Sequence, residues 1–157
     1  MLILKKALGE FVGKVRNEYE KIINEIIKRC TNTEVFKNSQ IKQVIEYIRE
    51  KYGDELEFLW EKFDDNAIWR NKQNKKWYGL LCKISANKIG INSEEIIEII
   101  DLRYQKEETR NIVDFKGIFP GYHMNKKSWI TIKLDDAVET EKIYELIDNS
   151  FELSIKK

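Results

Sequence analysis

The chain has 157 residues, of which 42% are hydrophobic and 35% charged, and its formal net charge is +1. That is enough material to bury the core of one domain, too apolar for extended disorder, and too nearly neutral for a bulk polycation. Affinity for phosphate would have to come from a local patch, and the apolar runs are too short to span a bilayer.

Residues 1–4 are apolar but are followed at once by Lys5 and Lys6, without the ordered regions of a secretion signal. Cys30 and Cys82 are the only cysteines and neither has a second thiol nearby in sequence, which suits reduced thiols and a cytoplasmic location. One Pro and seven Gly leave little material for a flexible linker.

Taken in chain order, Phe11, Val15, Ile22, Ile23, Ile26 and Ile27 recur at helical spacing, which predicts an amphipathic helix over residues 10–29. A second helix is expected from Asn38 or Ser39 as cap to Gly53 as stop, with Ile41, Val44, Ile45 and Ile48 as its buried stripe. Residues 56–63, 67–71 and 77–85 are rich in aromatic and β-favouring side chains and are separated by turn-forming stretches. They read as a three-stranded meander, with Tyr78, Leu80, Cys82 and Ile84 on one face. Residues 96–103 fit a buried strand and a helix equally well by periodicity. A short helix over 105–115, a loop over 117–127 and a strand over 129–134 follow. A closing helix then starts at Thr140, with Ile143, Leu146, Ile147, Phe151 and Ile155 as its stripe. This order predicts an α+β domain with helices packed on one face of an antiparallel sheet.

Several separated stretches carry a resemblance. Phe119-Pro120-Gly121-Tyr122-His123-Met124-Asn125-Lys126-Lys127-Ser128-Trp129 is similar to the His-x-Asn-Lys-x-x-Trp signature of the MmcQ/YjbR family. Ile147-Asp148-Asn149-Ser150-Phe151 is similar to that family's closing helix. Phe58–Phe63, Ala67–Arg70 and Lys76–Gly79 resemble its first hairpin and next strand. The resemblance implies that residues 96–103 are extended and that the fold is frataxin-like (CyaY-like). It also implies kinship with proteins described as DNA-binding, with a double-wing arrangement. Where smaller members carry Arg-Pro ahead of the histidine, this chain has Phe-Pro-Gly-Tyr. Residues 9–16 resemble the junction that follows an additional N-terminal domain in longer members, so the chain is expected to be either a short form or a C-terminal piece. The expected organisation is an accessory helix in residues 1–35 and the MmcQ/YjbR-like domain in residues 36–157. The stripe of the 10–29 helix would then meet a second copy or a missing N-terminal domain.

Candidate chemistry is sparse. His123 is the only histidine, and neither cysteine lies near it in sequence, so a metal site or a nucleophile–base pair has little to build on. His123 and Asn125 read foremost as loop-forming residues of the family motif with Lys126 and Trp129, and contact with a ligand is the alternative. Glu55, Glu57, Glu61, Asp64 and Asp65 read as solvated carboxylates, so no metal and no cofactor is expected. Arg70, Lys72, Lys75 and Lys76 crowd one hairpin tip beside Trp77, and Lys126 and Lys127 lie beside Trp129. Cations that neutralise phosphates next to rings that stack bases suit a nucleic-acid surface. Solvation of the tip and burial of the tryptophans is the competing account. The expected function is a nucleic-acid-binding module, foremost for DNA, without catalytic activity. The alternative is a protein-interaction or small-ligand module.

Overall fold

The computed structural model describes the backbone of residues 2–36 and 38–156, and the side chains of residues 9–27, 35, 36 and 38–156. Contacts divide it into two compact units, Met1–Val35 and Phe36–Lys157. The first is a single helix, α1 (Leu2–Val35). It runs beyond the 10–29 span at both ends because no proline interrupts it. Phe11, Val12, Val15, Tyr19, Ile22, Ile26 and Ile27 are each at least half exposed along it. The Cys30 side chain lies outside the described residues.

The second unit begins with α2 (Ser39–Tyr52). Its ends follow from two residues. The Asn38 carboxamide oxygen accepts from the Gln40 amide at 2.8 Å, satisfying one of the donors a helix start leaves free. Gly53 closes the other end at φ +66, where its N–H donates to the Arg49 carbonyl. Ile41, Val44, Ile45 and Ile48 are buried as their spacing predicts.

Five antiparallel strands follow: β1 (Ala67–Arg70), β2 (Trp77–Ser85), β3 (Ile96–Arg103), β4 (Ile118–Pro120) and β5 (Trp129–Lys133), in the spatial order β1-β2-β3-β5-β4. A short α3 (Thr109–Ile112) precedes β4, and α4 (Thr140–Ile155) closes the chain. Residues 96–103 are extended along their whole length and pair with β2 on one side and β5 on the other.

Three local expectations are corrected. Residues 56–63 form no strand, because only Glu57 pairs, with Ile68. Turns closed by Phe63 N–H to Trp60 O and Asn66 N–H to Phe63 O then take the chain away, and its aromatics are used in packing: Phe58 stacks on Phe36, and Trp60 meets Trp77 edge-on. The 105–115 helix shrinks to one turn. Tyr78 leaves the alternation with Leu80, Cys82 and Ile84, because the register shifts between Trp69, opposite Gly79, and Arg70, opposite Trp77. The extra residue turns Tyr78 toward the helices, where its ring meets Phe151 of α4 and its hydroxyl donates to buried Asp54 at 2.8 Å. Gly79 faces the same side, and a Cβ there would stand 2.8 Å from the Trp69 ring.

Helices α2 and α4 cover one face of the sheet. On the other, Ile68, Leu80, Cys82, Ile84, Ile97 and Ile99 form a core closed by Trp60, Trp77, Tyr122 and Met124. The loop carrying the His123 motif is therefore a cover for this second core. Burial pushes the Cys82 thiol pKa upward, with Asp101 and Asp65 adding to it, so this cysteine is an inert packing residue. Among the described residues no helix is long and apolar enough to cross a membrane.

Candidate nucleic-acid interface

The hairpin tip between β1 and β2 is fastened to its own domain. Asn71 is buried and its side chain accepts from the Gln73 amide, while Asn74 donates to the Ser154 carbonyl at 2.7 Å. Arg70 forms a two-pronged ion pair with Glu57. Lys72 donates to the Gly53 carbonyl at 2.5 Å and lies 3.3 Å from Asp54, and Lys76 donates to the Lys156 carbonyl at 2.9 Å. Three of the four tip cations thus already have oxygen partners. Lys75 is exposed at φ +61. Trp77 is half-buried against Trp60.

The second basic loop is built differently. The Asn125 carbonyl accepts from the Ser128 amide at 2.9 Å, and its side chain accepts from the Lys127 amide at 3.0 Å. That turn leaves the side chains of Lys126 and Lys127 in solvent. Upstream, the Tyr122 amide donates to Thr131 Oγ1 at 2.8 Å, and the Thr131 hydroxyl donates to Asp101. Trp129 is 4% exposed, with the Arg103 guanidinium 4.7 Å from its ring centre. It is a core residue in this structure and offers no face to a base. His123 is exposed, meets Tyr122 edge-on at 4.2 Å, and has its pKa lowered by partial burial.

Lys126 and Lys127 join two cations that sequence reasoning did not single out. Together with Lys106 and Arg110 they line a cleft of about 720 Å³ whose apolar wall is Val113, Phe115 and Pro120, with Glu107 also lining it. Among the described residues, none of these four cations makes an ion pair. A smaller recess of about 290 Å³ continues past Phe115 between Lys88, Tyr122 and Lys126.

Phe115 separates the two recesses and is 68% exposed at φ +56. A bulky side chain rarely occupies that left-handed region, and holding it there costs about 1–3 kcal/mol. Asp114 enforces the conformation. Its Oδ1 accepts from the amides of Lys116, Gly117 and Ile118 at 2.9, 3.0 and 2.8 Å. Burial pushes the Asp114 pKa upward, but these amides outweigh it and the carboxyl titrates below its ordinary value. The signal in the sequence was present but faint: Lys106 and Arg110 sit at i and i+4, and Asp114 precedes a turn ending at Gly117.

The family model described as YjbR matches residues 49–153. The chain belongs to the YjbR family. It is 35% identical over 113 residues to YyaQ of Bacillus subtilis, covering 72% of this chain and 96% of that one. A Pseudomonas syringae protein of known crystal structure is 42% identical and superposes with a TM-score of 0.70, over 72% of this chain and 97% of that one. A Deinococcus radiodurans protein at 23% identity and a TM-score of 0.57, over 74% of this chain and 79% of that one, shares the fold.

Most of the residues that carry the YjbR likeness hold the domain together. Asp148 accepts from Tyr47 at 2.9 Å, Tyr52 at 2.6 Å and Lys51 at 2.6 Å, locking α2 to α4. Burial would raise its pKa, but these donors dominate and lower it. Ser150 donates to the Tyr78 carbonyl at 2.5 Å and accepts from the Arg103 amide, so one hydroxyl ties α4 to both β2 and β3. Among the described residues, the side chains of Lys106, Arg110, Lys126 and Lys127 are not used in such internal contacts. Among the described residues no group of three or more His, Cys, Asp or Glu side chains is placed to hold a metal ion.

Proposed function

We propose that this YjbR-family chain is a nucleic-acid-binding module, foremost for DNA, that acts without a catalytic step through the cleft around Phe115. The observation that carries this reading is the pairing of four cations free of carboxylate partners with an exposed ring held in a costly backbone conformation. Strain and exposure at one residue both lower stability, and such positions concentrate at ligand contacts. Lys106, Arg110, Lys126 and Lys127 neutralise backbone phosphates, and Phe115 stacks on a base. Lys75 and Lys76 extend the phosphate track at a secondary level, and Arg70 and Lys72 remain committed to Glu57 and Asp54. Within the same reading the antiparallel sheet with helices on one face is frataxin-like (CyaY-like), and the protein acts in the cytoplasm.

Fluorescence anisotropy with labelled single-stranded and duplex DNA tests the proposal. Four phosphate contacts on a single strand give a log–log salt slope near ~2.8, hence a weakening of roughly 50-fold between ~50 and ~200 mM salt. Phe115→Asn relieves the left-handed strain, because Asn tolerates that conformation, so the variant is expected to be as stable as wild type or more so. It should nevertheless bind single strands more weakly, by ~1–3 kcal/mol. Unchanged binding by a folded Phe115→Asn protein would remove the ring from the interface. No binding by wild type at ~50 mM salt would leave a small-ligand or protein-interaction role for the cleft.

A further inference from the structure

Two recesses meet at Phe115. The cleft of about 720 Å³ and the recess of about 290 Å³ share Phe115, Pro120 and Lys126 in their walls. The dividing ring is held from two directions. The Asp114 turn fixes its backbone, and the ring meets that of buried Phe119 at 6.4 Å with the planes at 85°. The smaller recess has a second aromatic wall in Tyr122, whose amide is anchored on Thr131 Oγ1, an apolar wall in Ile89, and an exposed cation in Lys88. Its lining thus combines two rings with two lysines and contains no carboxylate.

We propose that the two recesses take two consecutive bases of single-stranded DNA, one on each side of the Phe115 ring, with the phosphate that joins them on Lys126. This deepens the nucleic-acid reading above and rests on it. A base entering the smaller recess meets both the Phe115 and the Tyr122 rings, and such stacking accepts any base because every base has a π-face. A ring with a recess on either side separates the two bases it contacts, as an apolar wedge does at a base step. The strand joining them then crosses from one recess to the other. Lys126 is the cation that lines both, whereas Lys88 lines the smaller and Lys106, Arg110 and Lys127 line the larger. A duplex would have to be unpaired and unstacked to reach this arrangement, and a single strand avoids the cost of unpairing.

The test uses the full chain and two DNA strands of about six nucleotides, abasic except for two adjacent 2-aminopurines in one and a single 2-aminopurine in the other. Both carry the same phosphates, so electrostatic attraction alone gives them equal affinity. The two-base strand should bind at least about fivefold more tightly. The circular-dichroism couplet of its stacked pair should be lost at saturation, because the ring parts the bases. Phe115→Asn should bind the two strands more alike and leave the couplet intact. Lys126→Gln should weaken binding of the two-base strand at least about threefold more than Lys127→Gln, although each removes one charge. Equal losses for these two variants would take the joining phosphate away from Lys126. A wild-type chain that binds ordinary single strands, yet has equal affinity for the two test strands or keeps the couplet, overturns the inference and leaves the nucleic-acid reading standing. No binding of any DNA at ~50 mM salt overturns both.

Discussion

Replacing Trp129 with Ala is expected to destabilise the domain by about 3–5 kcal/mol, the range for removing a large buried aromatic. The ring is 4% exposed and carries the Arg103 guanidinium over its face. Arg103 in turn donates to the Trp77 carbonyl and has its pKa lowered by burial, so deletion of the ring also loosens a buried cation. Urea denaturation of both proteins measures the difference. A loss below ~1 kcal/mol, with nucleic-acid binding abolished, would return Trp129 to the role of stacking platform.

The second large effect is one of pH. Asp101 is fully buried on β3 and its pKa is raised to about 6, foremost by burial. The hydrogen bond from Thr131 and the amides of His123 and Tyr122 pull the other way without compensating, and Oδ2 has no well-formed hydrogen bond. Because the folded state holds this proton more tightly than the unfolded chain, the stability it contributes is complete below pH ~4. That stability is lost as pH rises through about 6. A shift of this size amounts to roughly 3 kcal/mol. Asp148, with its lowered pKa, has the opposite sign and loses its contribution as pH falls, so the raw stability curve mixes the two. The difference between wild type and Asp101→Asn isolates the first. The variant should gain on wild type by about 2–3 kcal/mol between pH 4 and pH 7. Parallel curves would contradict a carboxyl on Asp101 whose pKa burial raises in the folded state.

What the sequence disclosed follows the range of the interactions involved. The ends of α2 were legible because Asn38 and Gly53 act within a few residues of themselves, and the buried stripe of α2 because its period is local. Residues 96–103 were not decidable by period, since a strand buried on both faces and a buried helix both read as a run of isoleucines. The bulge at Tyr78 escaped because it depends on the register with β1, a property of two segments at once. The same reason hid the fate of the basic hairpin. Arg70 and Lys72 look free in sequence, and their partners Glu57 and Asp54 are set by the fold. Phe115 was missed because residues 105–115 read as a single weak helix, whereas the three-amide turn at Asp114 ends that helix early and turns the ring outward.

In the proposed mode of binding, nucleic acid lies in the cleft around Phe115 and the hairpin tip is subordinate to it. Two folded triple variants set the sites against each other in one low-salt DNA titration: Arg110, Lys126 and Lys127 all changed to Glu, and Lys72, Lys75 and Lys76 all changed to Glu. Each reverses three charges, so the change in net charge is the same and only its position differs. The cleft variant should lose binding at least a hundredfold and flatten the salt dependence, and the hairpin variant should lose less than about tenfold. The reverse order, or an equal loss in both, would contradict the assignment of the interface to the cleft.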